Sequence, residues 1–211
     1  MSRWSDPKKY EATSWKLGTV RGQYVRQRRL EKTLQFLDKD ELVLDVGVGP
    51  ATMSKDFPCT VIGCDLSLNM LLVAKEKIEG VVYCDAQYLP FRDNIFDVSF
   101  ESSCLYLVPE MKKALVEMVR VAKRAIITFE SNPWSLRRLL TSAKLSRHPS
   151  PFKLRNMYVD LGLEPKMLMV GFAPYSSSKT LFKFWKHIEG VIERLPIIKY
   201  FCGGTLIISH L

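Results

Sequence analysis

The sequence predicts an α/β domain, a three-layer sandwich in which helices cover both faces of a seven-stranded, mostly parallel sheet. Three observations predict it. Short apolar runs alternate with stretches of helical periodicity along most of the chain. Several of those runs stop at an acid or a glycine, as buried parallel strands do. No stretch is rich enough in proline, glycine or serine to divide two domains, and no repeat or low-complexity tract interrupts the rhythm.

The bounds agree. The chain has 211 residues and 47% hydrophobic content, ample for one core. We read it as a single domain over 1–211, with an N-terminal cap (1–35), a core (36–130) and a closing segment (131–211). No apolar run approaches membrane-spanning length, and "MSRWSDPKKYEATSW" has no signal-peptide apolar region, so a cytoplasmic protein is expected. Cys59, Cys64, Cys84, Cys104 and Cys202 are scattered, without a CxxC and apart from the three histidines. That argues against a zinc site or a disulfide framework, and no metal is expected. The net charge of +9 predicts attraction to phosphate or anionic surfaces.

The elements follow in order. Residues 1–21 show no strong periodicity. A helix runs from Gly22 to Leu37, with Leu30, Leu34 and Leu37 on one face. "ELVLDVG" is a buried strand, followed by a short helix at 51–57 and the strand "TVIGCDL". Ser67 can cap the helix "LNMLLVAKEKI", which ends before Gly80. The strands "VVYCDA" and "FDVSFES" flank the loop "QYLPFRDN". Asp97, near the start of the second, reads as structural. The helix "MKKALVEMVRVAKR" presents Leu115, Met118, Val119 and Ala122 together, and the fifth strand is "AIITFE". Beyond residue 131 the pattern loosens. Pro133 suits a first helical turn, "PFKLRNMYVDLGL" is a helix closed near Gly162, and "PKMLMVGFAPY" is a sixth strand. "SKTLFKFWKHIEGVIERL" is an amphipathic helix using Leu181, Trp185, Ile188, Ile192 and Leu195, and "GTLIISHL" is the last strand.

Function rests on the strand tips. Four successive strands end in an acid: Asp45, Asp65, Asp85 and Glu101. Parallel sheets bind ligands at that edge. Four acids on one rim repel unless something separates them, and a ligand with hydroxyls, an amine and a cationic centre would use them. The loop Gly47-Val48-Gly49-Pro50-Ala51-Thr52 excludes two alternatives. A dinucleotide fingerprint needs glycine at Thr52, and Pro50 removes an N–H from a loop that would hold pyrophosphate. A P-loop needs Gly-Lys-Ser/Thr, which is absent. The stretch resembles motif I of the class I S-adenosylmethionine (SAM)-dependent methyltransferases, acid-x-Gly-x-Gly-x-Gly, read on Asp45, Gly47, Gly49 and Ala51, with Ala51 replacing the third glycine. "VIGCDLSLNML" and "YCDAQYLPFRDNIFDVSF" continue the likeness over roughly 36–130. It is similar to the branch holding quinone-biosynthesis and small-molecule enzymes.

The resemblance implies a Rossmann-like sheet with an antiparallel ending, SAM as cofactor and S-adenosylhomocysteine (SAH) as product. Asp45, Gly47 and Gly49 would shape the methionine pocket. Asp65 would bind both ribose hydroxyls, Leu66 and Met70 would flank adenine, and Asp85 with Ala86 would meet the adenine amine. Glu101 would face the amino-acid end and is a candidate base, though a carboxylate is unusual there. Residue chemistry supports this, since a ribose diol donates two hydrogen bonds that a carboxylate accepts. Methyl transfer needs alignment and exclusion of water, not a covalent intermediate.

Several residues carry two readings. Tyr106 either faces the acceptor or packs. Tyr10 and Trp15, with Trp4, either close over cofactor and substrate or pack. His148, His187 and His210 read as surface or packing residues. "SNPW" lacks the second proline of the amino-group methylase motif and follows the wrong strand. Basic residues cluster at Arg26, Arg28, Arg29 and Lys32, and again through Arg137, Arg138, Lys144, Arg147, Lys153 and Arg155. They are either a solvated face or a surface for an anionic substrate, RNA or lipid. The expected activity is methyl transfer to a small-molecule acceptor. The rival is a catalytically silent adaptor for RNA or a protein partner. A nicotinamide dehydrogenase is weaker still.

Overall fold

The computed structural model describes residues 6–136, 138, 147–171 and 179–211. Trp4, Arg137 and Lys144 lie outside them, as do the end of the expected sixth strand and the side chains of Leu181, Phe182, Trp185 and His187.

The N-terminal cap opens with α1 (Pro7–Tyr10), where Asp6 accepts from Lys9 N at 3.0 Å, and continues as a π-helical turn over Glu11–Trp15. α2 spans Val20–Thr33, and Thr19 Oγ1 caps it by accepting from Gly22 N at 3.0 Å. The sheet elements are β1 (Leu42–Val46), β2 (Thr60–Asp65), β3 (Gly80–Tyr83), β4 (Phe96–Ser102) and β5 (Ala122–Ser131). α3 (Leu68–Ala74) joins β2 to β3, and α4 (Met111–Val121) joins β4 to β5. The chain closes with α5 (Pro151–Val159), β6 (Lys166–Val170), α6 (Lys179–Ile192) and β7 (Gly204–His210).

The sheet has seven strands in the order β3-β2-β1-β4-β5-β7-β6. β1 to β5 pair in parallel, and β7 runs antiparallel to both β5 and β6. The expected architecture, with an antiparallel last strand, is therefore present. Strand order reverses between β1 and β4, so the carboxyl ends of β1, β2 and β4 open a crevice there.

The two-residue period of each strand sorts the core into two layers. Leu44, Val46 and Ile126 pack with Leu115 and Met118 of α4 and with Leu154 and Tyr158 of α5. Val43, Val98, Phe100, Ile127 and Phe129 pack with Leu30 of α2 and with Phe57. Tyr158 is fully buried, and its hydroxyl donates to Thr128 Oγ1 at 3.0 Å.

Some local expectations are corrected. The helix expected at 51–57 is a single 3-10 turn, Ser54–Asp56, because a tight left-handed loop precedes it and Pro58 follows. α3 stops four residues short of Ile78, and Ser67 makes no side-chain capping bond to it. β5 starts at Ala122 and shortens α4 accordingly. "SNPW" is a turn in which Asn132 Oδ1 accepts from Trp134 N at 2.9 Å. The Asn132 amide also donates to Tyr200 O and Cys202 O at 2.7 and 2.8 Å.

Much of the first basic cluster is half-buried and paired with acids of this same chain. Arg28 of α2 lies 2.6 Å from Glu189 on α6 and 3.2 Å from Glu193, just past the end of that helix, and Lys32 lies 2.8 Å from Glu193. Tyr24 donates a short hydrogen bond to Glu189, and Arg26 pairs with Asp56. Removing one partner of a buried ion pair leaves the other uncompensated. Glu189→Ala is expected to lower unfolding free energy by about 3–5 kcal/mol, read as a fall in urea midpoint. Glu189→Gln, which keeps an acceptor for Tyr24, should cost less.

Candidate functional site

The site grows from the loop after β1. Gly47 and Gly49 hold φ angles of 70° and 54°. Gly47 N and Val48 N donate to Cys64 O at 2.8 and 2.9 Å, locking the loop to the end of β2. A Cβ on Gly47 would collide with the Cys104 side chain, so both conformation and space demand glycine. Ala51 also sits at positive φ, 54°, fully buried against Val48, Leu71 and Ala74. The third motif position thus keeps a glycine-like conformation while its methyl fills a small apolar niche.

Asp65 closes β2. Its Oδ2 accepts from Gly49 N at 2.9 Å and its Oδ1 from Ser67 N at 2.8 Å. Burial raises its carboxyl above the ordinary range, and those backbone donors oppose the rise. Asp85 follows β3. Its Oδ1 accepts from Gln87 N at 2.9 Å, and both oxygens take the Gln87 side-chain amide at 3.1–3.2 Å. Gln87 Oε1 in turn accepts from Glu110 N at 3.1 Å, which ties the acid to the start of α4.

Gly47, Gly49, Asp65, Leu66, Met70, Asp85, Ala86 and Tyr10 line one cavity of about 570 Å³. Ser103, Cys104, Leu107, Val108 and Pro109 of the segment after β4 complete its wall, together with Arg147. Three of the five thiols, Cys64, Cys84 and Cys104, also line it. Among the described residues, no group of three His, Cys, Asp or Glu side chains could hold a metal ion.

Four expected site residues are not on that wall. Asp45 is 3% exposed and lies beneath the loop, where burial pushes it up to about 7, with Asp65's charge adding and the Ser54 hydroxyl opposing. Glu101 is fully buried, and its Oε2 accepts from Cys104 N at 2.9 Å and Leu105 N at 3.4 Å. Its other oxygen is buried without a hydrogen-bond partner. Burial and the charge of Glu130 push its carboxyl well up. The Glu101 side chain therefore underpins the cavity wall instead of facing the space above it. Trp15 packs on the α2 side of the sheet and hydrogen-bonds Tyr10. Tyr106 stacks on His148 with ring centroids 3.7 Å apart.

Three residues with no expected site role emerge. Arg29 reaches under the strand tips, donating to Ser103 Oγ at 3.1 Å and Ser131 Oγ at 3.2 Å. Its guanidinium lies over the rings of Phe129 and Trp15, 4.4 and 5.2 Å from their centroids. Burial lowers its pKa, while Glu130, Tyr10 and Glu101 oppose that. Glu130 and His148 form a pair, Oε2 to Nδ1 at 2.7 Å. Glu130 had a sequence signal, since "AIITFE" makes it a fifth strand-end acid. His148 had none.

Residues 44–126 match the family model described as a methyltransferase domain. A demethylmenaquinone methyltransferase of Paenarthrobacter aurescens is 39% identical over 120 residues, covering 53% of this chain and 47% of that protein. The chain spans about half the length of the curated relatives it matches. A SAM-dependent methyltransferase of Thermotoga maritima superposes with a TM-score of 0.69 at 16% identity, over 89% of this chain and 90% of that one. One from Archaeoglobus fulgidus gives 0.67 at 23% identity, over 96% and 98%. These superpositions establish the fold.

Two outcomes test the loop. Gly47→Ala should cost about 1–3 kcal/mol of stability, measured by denaturant unfolding, because φ and the Cys104 side chain both oppose a methyl. For Asp45, the folded-state pKa is raised from 3.8 to about 7, so the native state holds a proton that the unfolded chain has already released. Its contribution is fully present below pH 3.8 and is lost as pH rises through about 7. Asp45→Asn should flatten that fall and be more stable than the wild type at pH 8, read from thermal midpoints across pH.

Proposed function

We propose that this chain is a class I SAM-dependent methyltransferase and transfers a methyl group from SAM to a small-molecule acceptor by in-line displacement. The observation that carries the reading is Asp65. It is a strand-tip carboxylate with each oxygen anchored by a backbone N–H, on the wall of a cavity large enough for a nucleoside joined to an amino acid. An anchored carboxylate keeps lone pairs for two further donors, which a ribose diol supplies.

The other residues fit the same ligand. Leu66 and Met70 offer apolar surface on either side of a flat base. Asp85, fixed by Gln87, would accept from an exocyclic amine beside Ala86. Gly47 and Gly49 let the main chain approach a ligand closely. Asp45 and Glu101 lie just below, and a cation above them would draw their pKa values down and favour their charged forms. SAM supplies an electrophilic methyl on a sulfonium, a fixed positive charge. Tyr10, hydrogen-bonded by Trp15 and lying close to Gly49, would help exclude water.

Calorimetric titration with SAH, beside NADH, tests the reading. SAH should bind in the micromolar range and NADH should not. Asp65→Ala should weaken SAH by about 1–3 kcal/mol, roughly 5- to 150-fold, the scale of lost charge-assisted hydrogen bonds. Absence of SAH binding to the wild type would overturn the proposal.

A further inference from the structure

The edge of the sheet that carries the cavity also carries a surface that methyl transfer leaves unused. β5 runs parallel to β4 and ends at Ser131, and β7 starts antiparallel to it at Gly204, which pairs with Ser131. The chain leaving β5 and the chain entering β7 therefore meet at the same edge as the ends of β1, β2 and β4. Trp134 lies on the first, and a 3-10 turn, Ile198–Phe201, precedes the second. The Asn132 amide joins them through Tyr200 O and Cys202 O, at 2.7 and 2.8 Å. α5 supplies the third part. The centroid of the Phe152 ring lies 5.7 Å from that of Trp134 and 5.0 Å from that of Tyr200.

This surface is apolar and open. Trp134 and Phe152 are 41% and 42% exposed, and Ile197 and Ile198, next to the Tyr200 turn, are 74% and 45% exposed. Large apolar side chains left open as a contiguous set mark a surface that meets something. The charge around them has one sign. Residues 132–136, 147–159 and 194–204 contain no aspartate or glutamate. They contain Arg147, Lys153 and Arg155 on or before α5, and Arg194 and Lys199 before β7. Lys153, Arg155 and Arg194 are exposed. Arg147 is exposed and also lines the cavity, so the basic strip reaches the cavity wall.

We propose that this face docks on an anionic lipid bilayer. Trp134, Phe152, Ile197 and Ile198 enter the boundary between headgroups and acyl chains, and the lysines and arginines meet lipid phosphates. The composition selects this partner. A protein interface sheds charge from its core, whereas a bilayer rich in anionic lipid offers a uniformly negative plane above an apolar layer. RNA is held by aromatic faces on which bases stack. Here Trp134, Phe152 and Tyr200 lean on one another, tilted by 49° and 36°, and the isoleucines have no ring face. Tryptophan and tyrosine beside aliphatic and basic side chains are the composition of an interfacial anchor. The inference goes beyond methyl transfer and stands without it. Its consequence is orientation, since a chain docked in this way turns the cavity edge towards the lipid.

Flotation of the full chain with vesicles tests the proposal. Vesicles of phosphatidylcholine alone are compared with an equal mixture of phosphatidylcholine and phosphatidylglycerol. At physiological ionic strength the wild type should float with the mixture and not with phosphatidylcholine alone. Salt at about 1 M, where screening acts within about 3 Å, should release most of it. Lys153→Gln/Arg155→Gln should raise the lipid concentration at half-binding about tenfold or more. Ile197→Ser/Ile198→Ser should raise it about tenfold. Neither pair lines the cavity, and urea midpoints confirm that each variant folds. If the double serine variant folds poorly, Ile197→Ser alone, at the most exposed position, reads the apolar contribution. Lys39→Gln/Lys123→Gln removes the same charge beside the starts of β1 and β5, at the opposite edge, and should bind as the wild type does. Equal loss in that variant, unchanged binding in the other two, or a wild type that does not float overturns the docking surface. So does a wild type that retains a short single-stranded RNA but no vesicles, or a dimer in solution that Ile197→Ser makes monomeric. SAH titration of the same samples reports separately on the methyltransferase reading.

Discussion

A guanidinium buried among carboxylates holds the working edge of this sheet together. Parallel strands deliver their acidic ends to one rim, and unit charges 4 Å apart repel by about 4 kcal/mol at an effective dielectric of 20. Here Asp45, Glu101 and Glu130 have left water at that rim. Arg29 answers them from α2, and its plane is clasped by Phe129 and Trp15. The position of α2 is then set by edge chemistry as well as by its apolar face. From there its Arg28 and Lys32 meet Glu189 and Glu193, which orients α6. The N-terminal turn follows, because Trp15 lies against the Arg29 guanidinium and hydrogen-bonds Tyr10, whose ring lies near Gly49. The cap, the rim and the closing helix are thus coupled through one turn of α2.

The sheet was legible because parallel strands leave continuous apolar runs, and all seven stood out. The short N-terminal elements were not, since one turn of α-helix and one of π-helix give no period to detect. The basic cluster on α2 was visible as charge but not as pairing, because Arg28 and Glu193 are 165 residues apart in sequence. At the site, Gly47, Gly49 and Asp65 could be placed from sequence because a glycine turn and a strand tip are local features, and the positive φ angles and the Gly49–Asp65 hydrogen bond fit those places. Asp45 and Glu101 were correctly put at strand tips, yet tip position does not say which way a side chain leans. Asp45 shares its face with Val43, and Glu101 bends back to the Cys104 and Leu105 amides.

His148 illustrates a deeper limit. An isolated histidine in a basic, proline-flanked stretch has no local signature. Its meaning comes from Glu130 on β5 and Tyr106 after β4, which tertiary structure alone brings to it. Glu130 was half readable, as the next acid in the strand-end series. What the series could not show is that this acid faces a histidine while its neighbours face backbone amides.

The division along the chain has a physical basis. The family match ends at residue 126, before Glu130, and it starts after Tyr10 and Arg29. The matched stretch supplies Gly47, Gly49, Asp65 and Asp85, which line the cavity. The unmatched stretches supply the pair at β5, the arginine beneath it and the tyrosine above the loop. Asp65 and Asp85 are held by hydrogen bonds from backbone amides close to their own strand ends. Arg29, Tyr106, Glu130 and His148 are instead side chains gathered from distant segments onto the same edge. The sheet fixes the first kind, and the buried charges between α2, β4 and β5 fix the second.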